Sequence, residues 1–232
     1  VMPMHYMLDD EDFDGVEKKL SAEEFYNRMK AGAKSNTSMI DEATLRKYME
    51  PLLQQKREIL YIVFSSGLSG SYDNAVRVVA DLKKEYPGCK LEIVDSRNAS
   101  IGEGLLVWYV LEKRSEGVGF DELVEYARGL VDHVCSYFTV DDLNHLARLG
   151  RVTKTAAFIG TIANIKPVLF VNTPGKLIPI GKVVSRKKSL KALVDKMGEK
   201  MLPASEQRRI FIGHGLCRED AEFVKGLITE RF

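Results

Sequence analysis

The fold is indicated first by the stretch Ile59-Leu60-Tyr61-Ile62-Val63-Phe64, which is followed at once by Ser65-Ser66-Gly67-Leu68-Ser69-Gly70-Ser71-Tyr72. A continuous run of β-branched, aliphatic and aromatic residues is typical of a strand buried on both faces of a parallel sheet. The Ser/Gly loop leads into a predicted helix from about Tyr72 to Tyr86. Strand, loop and helix in this order indicate a parallel α/β layer.

A second unit of the same kind follows in the chain. Leu91 to Val94 is a predicted buried strand, Asp95-Ser96 follows it, and two helices come next, the second from about Phe120 to His133. We therefore predict a first α/β domain over residues 1–134, with helices on both faces of a parallel sheet.

Upstream of these units the sequence predicts a short extended segment ending near Leu8, an acidic turn, and two helices. Ser21 and Glu24 have the spacing of a capping box and start the first helix. The second helix runs from about Asp41 to Gln55, and we expect Pro51 to kink or break it.

The pattern changes near Cys135, where a second α/β domain over residues 135–232 is predicted, with a mixed or antiparallel sheet. Asn172-Thr173-Pro174-Gly175 is a hairpin-type turn between strands at 165–171 and 176–184. Further elements are predicted at Tyr137–Val140 (strand), Asp141–Leu149 (helix), Ser189–Met201 (helix), Arg209–Gly213 (strand) and Glu219–Phe232 (helix).

The Ser/Gly loop is the best candidate for a ligand site. Ligands of open α/β sheets bind at the carboxyl ends of strands, and the next helix adds free N–H groups and a partial positive charge. This chemistry favours a carboxylate or a phosphate; the alternative is a Ser-capped helix without a ligand. Neither the P-loop nor the dinucleotide glycine pattern is present. Lys34-Ser35-Asn36-Thr37-Ser38 is a second hydroxyl-rich loop before a helix.

Composition excludes several classes of function. The chain has 34 basic and 33 acidic residues, so no global field attracts nucleic acid or an anionic membrane. No apolar run has the ~20 residues of a membrane span, and no signal peptide is visible. Three widely spaced cysteines fit a reducing compartment, where we expect them to be small buried residues. The pattern indicates no metal site.

A catalytic set is hard to assemble from this sequence. A serine hydrolase using Ser69 needs a histidine base, and the four histidines are more typical of surface or capping positions, with His214 the best placed. The second half also concentrates basic residues, which could form a local cationic face if they converge: Arg148, Arg151, Lys154, Lys182, Arg186, Lys187, Lys188 and Lys191.

Taken in order, several segments resemble the DegV family of bacterial fatty-acid-binding proteins. The matching segments are Thr37-Ser38, residues 65–72, Val94-Asp95-Ser96 with Gly102 and Gly104, residues 138–143, Leu149-Gly150-Arg151-Val152, residues 165–169, and Lys182 with Arg186-Lys187-Lys188. The sequence departs from the usual pattern in having Ser71 in place of Thr and Val184-Ser185 in place of Arg-Gly. Family segments expected before Val1 and after Phe232, the latter with a carboxylate-facing histidine, are not seen in it.

The resemblance implies a two-domain carrier that buries one long-chain fatty acid and has no catalytic residues and no cofactor. Thr37 and Ser69 are the leading donors to the fatty-acid carboxylate, with the Gly70 N–H, Ser66 and Ser38 next. Burial of the acyl chain would contribute ~0.8 kcal/mol per CH₂. Apolar residues of the second half, among them Phe138, Leu143, Phe158, Ile159, Ile162 and Leu169, are candidates for lining a tunnel.

The resemblance also implies a partner, a fatty acid kinase that makes acyl phosphate for phospholipid synthesis. Arg148, Arg151, Arg186 and Lys187 are then the candidates for contacting this kinase. We expect a cytoplasmic monomer that inserts into no membrane and binds no nucleic acid. Two other hypotheses stay open: an acyl hydrolase or transferase using Ser69, and a DNA-binding regulator using the basic residues, which would bind DNA with a steep dependence on salt.

Overall fold

The computed structural model describes residues 1–141, 143–153 and 164–232. Strands and helices are interspersed along these residues, and a 3₁₀ turn at Val131–His133 extends the fifth helix. In chain order the elements are β1 Tyr6–Leu8, β2 Glu11–Phe13, α1 Ala22–Lys30, β3 Ser35–Thr37, α2 Glu42–Gln54, β4 Ile59–Val63, α3 Ser71–Glu85, β5 Leu91–Asp95, α4 Ser100–Ser115, α5 Phe120–Leu130, β6 Tyr137–Phe138, α6 Asn144–Arg148, β7 Ile165–Val171, β8 Leu177–Val184, α7 Arg186–Gly198 and α8 Arg218–Arg231.

The described strands form three small sheets of two kinds. β4 and β5 pair in parallel, whereas β2-β1-β3 and β6-β7-β8 are antiparallel. The antiparallel β7–β8 pair carries an irregularity in register between Val168 and Leu169. The predicted fold class, a mixed α/β protein with a parallel and an antiparallel sheet, is confirmed.

The parallel pair is covered by helices on both faces. Val63, Tyr61 and Ile59 pack into one cluster with buried residues of α2 and α3, whereas Leu60 and Ile62 pack against α4 and α5. The continuous apolar run is explained by this arrangement, because side chains on both faces of β4 meet a core.

Contacts across the predicted domain boundary at 134/135 join the carboxyl end of this sheet to the second half. The buried Ser65 hydroxyl donates to the Gly175 carbonyl at 2.7 Å. The Asn98 side-chain oxygen accepts from the Ser136 hydroxyl at 2.6 Å across the same boundary, and its N–H donates at 3.1 Å to the carbonyl of Val134, which lies just before the boundary. We refer to these contacts as the seam. The boundary itself stays a prediction.

Three of the sequence predictions were wrong in detail. The acidic run forms a hairpin, β1–β2, because Asp9 adopts the left-handed region (φ 52°) and turns the chain. Helix α2 continues through Pro51, since the carbonyl that lacks a partner belongs to the exposed Lys47 and can be hydrated. Of the cysteines, Cys135 is exposed and the other two are half-buried.

The predicted strand at Arg209–Gly213 is also absent. This segment lies along α4: Arg208 pairs with Glu112 at 2.7 Å, and the Arg209 guanidinium is 4.9 Å from the Trp108 ring centroid. Its β-branched and aromatic residues favour an extended backbone, but a strand needs a neighbouring strand to bond. Its neighbour here is a helix.

Candidate functional site

The Ser/Gly loop after β4 coils directly into α3. The N–H groups of Leu68 and Ser69 both donate to the Ser65 carbonyl, at 3.1 and 3.2 Å. The Ser65 hydroxyl accepts from the Gly67 N–H at 3.1 Å and donates its own proton to the Gly175 carbonyl in the seam. Ser65 is fully buried and therefore builds the loop rather than contacting a ligand.

Asp95, at the end of β5, organises the neighbouring loop. One of its carboxylate oxygens accepts from the backbone N–H groups of Ser66, at 3.2 Å, and Arg97, at 2.9 Å. The Ser66 hydroxyl is exposed, but its amide is used by Asp95. Asp95 is thus a loop cap, and Ser66 can offer a ligand only its side chain.

The start of α3 carries the polar groups that are best placed for an anion. The Ser69 hydroxyl contacts the Ser71 hydroxyl at 2.9 Å and accepts from the Ser71 N–H at 3.2 Å. Gly70 is the N-cap residue and supplies no side-chain cap. The positive end of the helix dipole therefore lies at this point, and the N–H groups of the first turn receive no hydrogen bond from the side chain of the N-cap residue.

The second hydroxyl-rich loop lies beside the start of α3. Thr37 ends β3, and the exposed Met39 follows two residues later, with its sulfur 3.6 Å from where a Cβ on Gly70 would stand. The Asn74 amide of α3 donates to the Ile40 carbonyl at 2.9 Å. The two loops predicted to bind the carboxylate are thus adjacent in the structure, although they are far apart in sequence.

Ser38 has a partner that sequence reasoning missed. Its hydroxyl lies 3.2 Å from Nδ1 of His5, and Nε2 of the same ring lies 2.8 Å from the Asp12 carboxylate. The order β2-β1-β3 makes this possible, because His5 precedes the middle strand. A period-2 pattern over residues 5–13 could have suggested the hairpin, but strands of three residues leave only a weak signal.

Arg148, predicted to contact a partner, lies against β3, the strand that ends at Thr37. Its guanidinium donates to the Ser35 carbonyl at 3.0 Å and to the Asn36 side chain at 3.4 Å. Helix α6 of the second half is thereby connected to β3. Arg151 donates to the Leu149 carbonyl at 2.7 Å and is half-buried.

Arg186 and Lys187 lie at the start of α7, against α8. The Arg186 Nε donates to Asp220 at 2.8 Å. Burial opposes the charge of Arg186, but the bond to Asp220 holds its pKa above the usual range. The exposed Lys187 places its ammonium 5.3 Å from the Phe223 ring centroid. The four predicted partner residues therefore contact two different parts of the molecule, and Lys154 lies outside the described residues.

The remaining histidines do not complete a catalytic set around Ser69. His214 accepts from the Cys217 N–H at 3.3 Å and stabilises the turn before α8, and His145 lies 3.1 Å from Arg148. Within the described ranges, no three His, Cys, Asp or Glu side chains gather as a metal site would require. The same part of the chain contains no helix with the length and apolar character needed to cross a membrane.

The apolar tunnel candidates are only partly described. Leu143 and Leu169 are buried in one cluster with Phe138 packed against it. Phe158, Ile159 and Ile162 lie outside the described residues.

Comparison with known proteins decides the family. A family model described as "Uncharacterised protein, DegV family" matches residues 1–232. The chain belongs to the DegV family. A DegV domain-containing protein from Clostridium perfringens is 38% identical over 219 residues, which cover 94% of this chain and 75% of that protein. The resemblance seen in the sequence is confirmed.

Solved DegV structures share the fold. A DegV protein from Ruminococcus gnavus, solved with vaccenic acid, has a TM-score of 0.83 and 26% identity, covering 99% of this chain and 80% of that one. The Streptococcus pneumoniae fatty acid kinase (Fak) B3 protein, loaded with linoleic acid, has a TM-score of 0.75 and 22% identity, covering 85% and 69%. Both of these relatives were solved with a long-chain fatty acid.

Proposed function

We propose that this DegV protein is a carrier that binds one long-chain fatty acid and catalyses no reaction on it. The carboxylate contacts Thr37 and Ser69, assisted by the Gly70 N–H, Ser66 and Ser38. The acyl chain is buried in a tunnel in the second half. The observation that carries the proposal is the contact of Met39 and Ile40, which directly follow Thr37 and Ser38, with the first turns of α3.

Physical chemistry supports this ligand over other anions. A carboxylate removed from water needs several hydrogen bonds, and hydroxyls beside the first turn of a helix supply them together with a favourable dipole. The R. gnavus relative was solved with vaccenic acid, a long-chain carboxylic acid. The Ser69 hydroxyl, bonded to Ser71, is a donor or acceptor for a ligand rather than a nucleophile paired with a base.

The binding proposal is tested by extracting the purified protein with organic solvent and quantifying fatty acid by mass spectrometry. We expect about one fatty acid per chain, or uptake to that level from added vaccenate. Replacing both Thr37 and Ser69 with Ala should weaken vaccenate binding by about a hundred- to ten-thousandfold, because each of the two lost hydrogen bonds to a charged group contributes about 1.5–3 kcal/mol.

A matched control is Ser115→Ala, which removes an exposed hydroxyl at the far end of α4. It should leave vaccenate affinity unchanged. Absence of bound lipid together with no uptake would contradict the carrier. Covalent labelling of Ser69 by a fluorophosphonate probe would instead support a hydrolase.

We further propose that the loaded carrier presents its fatty acid to a kinase in the bacterial cytoplasm, where acyl phosphate is formed for phospholipid synthesis. Arg148, Arg151, Arg186 and Lys187 are the proposed contact residues. The ground for this partner is the name of the S. pneumoniae protein that shares the fold.

Lys187→Glu is the sharpest test of the kinase contact, because Lys187 is exposed and forms no ion pair with the residues that the structure describes. Arg186→Glu would face Asp220 and disturb folding. We expect Lys187→Glu to lower acyl-phosphate formation by the kinase several-fold without changing vaccenate binding. Lys47→Glu, the same charge change on α2, is the control. Equal rates for the two variants would remove Lys187 from the contact.

A further inference from the structure

A chain of three polar side chains crosses the β2-β1-β3 sheet beside the head-group site. His5 lies just before the middle strand, with Asp12 of β2 at 2.8 Å from Nε2 and Ser38, just after β3, at 3.2 Å from Nδ1. The two ring nitrogens thus contact partners of different character. Asp12 is a carboxylate, and Ser38 is a hydroxyl next to Thr37.

The Asp12 carboxylate fixes the tautomer of the neutral imidazole. A carboxylate can only accept, so the proton of the neutral ring resides on Nε2. Nδ1 is then an acceptor, and the Ser38 hydroxyl donates its proton to it. In this state Ser38 can offer a bound carboxylate only an oxygen, which is unfavourable.

Protonation of the ring reverses the polarity of Ser38. Both ring nitrogens of the imidazolium are donors. Nδ1–H then donates to the Ser38 oxygen, and the Ser38 proton is released to point toward the ligand. The positive ring also attracts a carboxylate, so both effects have the same sign.

Among the described residues, the charged groups found to interact with His5 are three carboxylates. They are Asp12 on β2, Asp14 after it, and Asp41 at the N-cap of α2. The pKa of Asp14 is held low mainly by the Val16 N–H and that of Asp41 mainly by the Thr44 N–H, with a smaller contribution to each from the His5 charge.

We propose that His5, held by Asp12, is a positioning residue that sets the direction of the Ser38 proton, so that fatty acid is bound more tightly when His5 is protonated. The inference rests on the proposed function, in which Ser38 belongs to the carboxylate site. The ligand class is the same, a long-chain fatty acid in its ionised form.

The test measures vaccenate affinity of the full chain at about pH 5.5 and about pH 8, on either side of the range in which histidine usually titrates. The dissociation constant at about pH 8 is divided by that at about pH 5.5, and this ratio is compared between the wild type and His5→Gln. Changes in the state of free vaccenate affect both proteins equally and cancel. We expect the wild-type ratio to exceed the His5→Gln ratio by about tenfold, the effect of one hydrogen bond to a charged group.

Two further variants separate the route of the effect. Ser38→Ala keeps the His5 charge but removes the hydroxyl, and it should lose most of the excess pH dependence. His133→Gln, an exposed histidine in the 3₁₀ turn, should keep the wild-type ratio. Equal ratios for wild type and His5→Gln, with tight binding by both, would overturn the role of His5 and leave the carrier intact. No vaccenate binding by the wild type at either pH would overturn both.

A measurement on the wild type alone guards against misfolding of a variant. At a pH at which the His5 ring is neutral, the ¹⁵N chemical shifts of its two nitrogens should show the proton on Nε2. A proton on Nδ1 would contradict the proposed polarity of Ser38.

Discussion

Glu103, in the first turn of α4, carries a carboxyl group that is half-buried beside Tyr61 of β4. Burial raises the pKa of Glu103 to about 7. Burial also raises the pKa of Tyr61 to about 12, with a smaller contribution from the Glu103 charge. A carboxyl group in this position costs stability once it is ionised, because it leaves water without gaining a cation.

The stability of the protein should therefore depend on pH through Glu103. Between its ordinary pKa near 4.5 and the folded value near 7, the folded protein holds a proton that the unfolded chain has released. Stability then falls as the pH rises through this window. Glu103→Gln should remove that loss and raise the free energy of unfolding at pH 8 by about 1–2 kcal/mol, after allowance for partial solvent exposure.

Urea unfolding of both proteins at about pH 4 and about pH 8 checks this expectation, with m-values compared to exclude a change in the unfolded state. Glu17→Gln, at an exposed position outside the helices, should change neither value. A gain of the same size at both pH values would show that Gln packs better, and it would contradict a role for the charge.

At the residue scale the sequence predicted kinds of groups better than their roles. It indicated an anion site at residues 65–72. It could not show that the Ser65 hydroxyl bonds Gly175 in the seam, whereas Ser69 lies at the start of α3. The difference depends on where Gly175 approaches, which is a contact over 110 residues of sequence. The pairing of Ser38 with His5 was unpredictable for the same reason.

At the element scale, predictability followed length and periodicity. The strand at 59–63 and the helix at 71–85 lie within a residue of their predicted bounds, because a buried apolar run and a long amphipathic pattern are strong signals. The three-residue strand β2 was missed, since so few residues carry no period, whereas β1 lies within the segment predicted to be extended.

Two element predictions failed because tertiary contacts overrode local propensity. Helix α2 passes Pro51 because Leu53, beyond the proline, is buried and anchors the last turn. Arg209–Gly213 has the composition of a strand but packs along α4. Propensity describes what a segment favours, and its neighbours decide what it forms.

At the scale of the whole molecule, the seam couples the parallel sheet to the second half. Ser65 is its centre, because one buried hydroxyl accepts from Gly67 and donates to Gly175. Gly67 leaves room for this approach: a Cβ at that position would lie 2.5 Å from the Pro174 carbonyl oxygen. Gly175 adopts a positive φ of 75°, which allows its tight turn.

Ser65→Ala should therefore weaken the joint between the halves. It leaves the Gly67 N–H and the Gly175 carbonyl without their partner, at a cost of about 1–3 kcal/mol in the free energy of unfolding. Urea unfolding measures the loss, and limited proteolysis should cut the 172–175 turn faster than in the wild type.

The neighbouring Ser66 provides the comparison for this test. Its hydroxyl is exposed, and Ser66→Ala keeps the backbone bond to Asp95. That variant should stay within about 0.5 kcal/mol of the wild type. If the two alanine variants unfold alike, the seam contributes nothing particular to stability.

The hydrogen bond from Arg148 to β3 could make the affinity of the kinase depend on whether a fatty acid is bound. The Arg148 guanidinium contacts the strand that ends at Thr37, and Arg148 is also one of the residues proposed to contact the kinase. If the kinase binds the lipid-loaded protein more tightly than the empty one through Arg148, thermodynamic reciprocity requires a matching effect. Kinase binding must then raise the affinity of the protein for its fatty acid by the same factor. The fatty acid would then be bound more tightly while the kinase is attached. Its release would follow only after phosphorylation of the carboxylate has changed the head group.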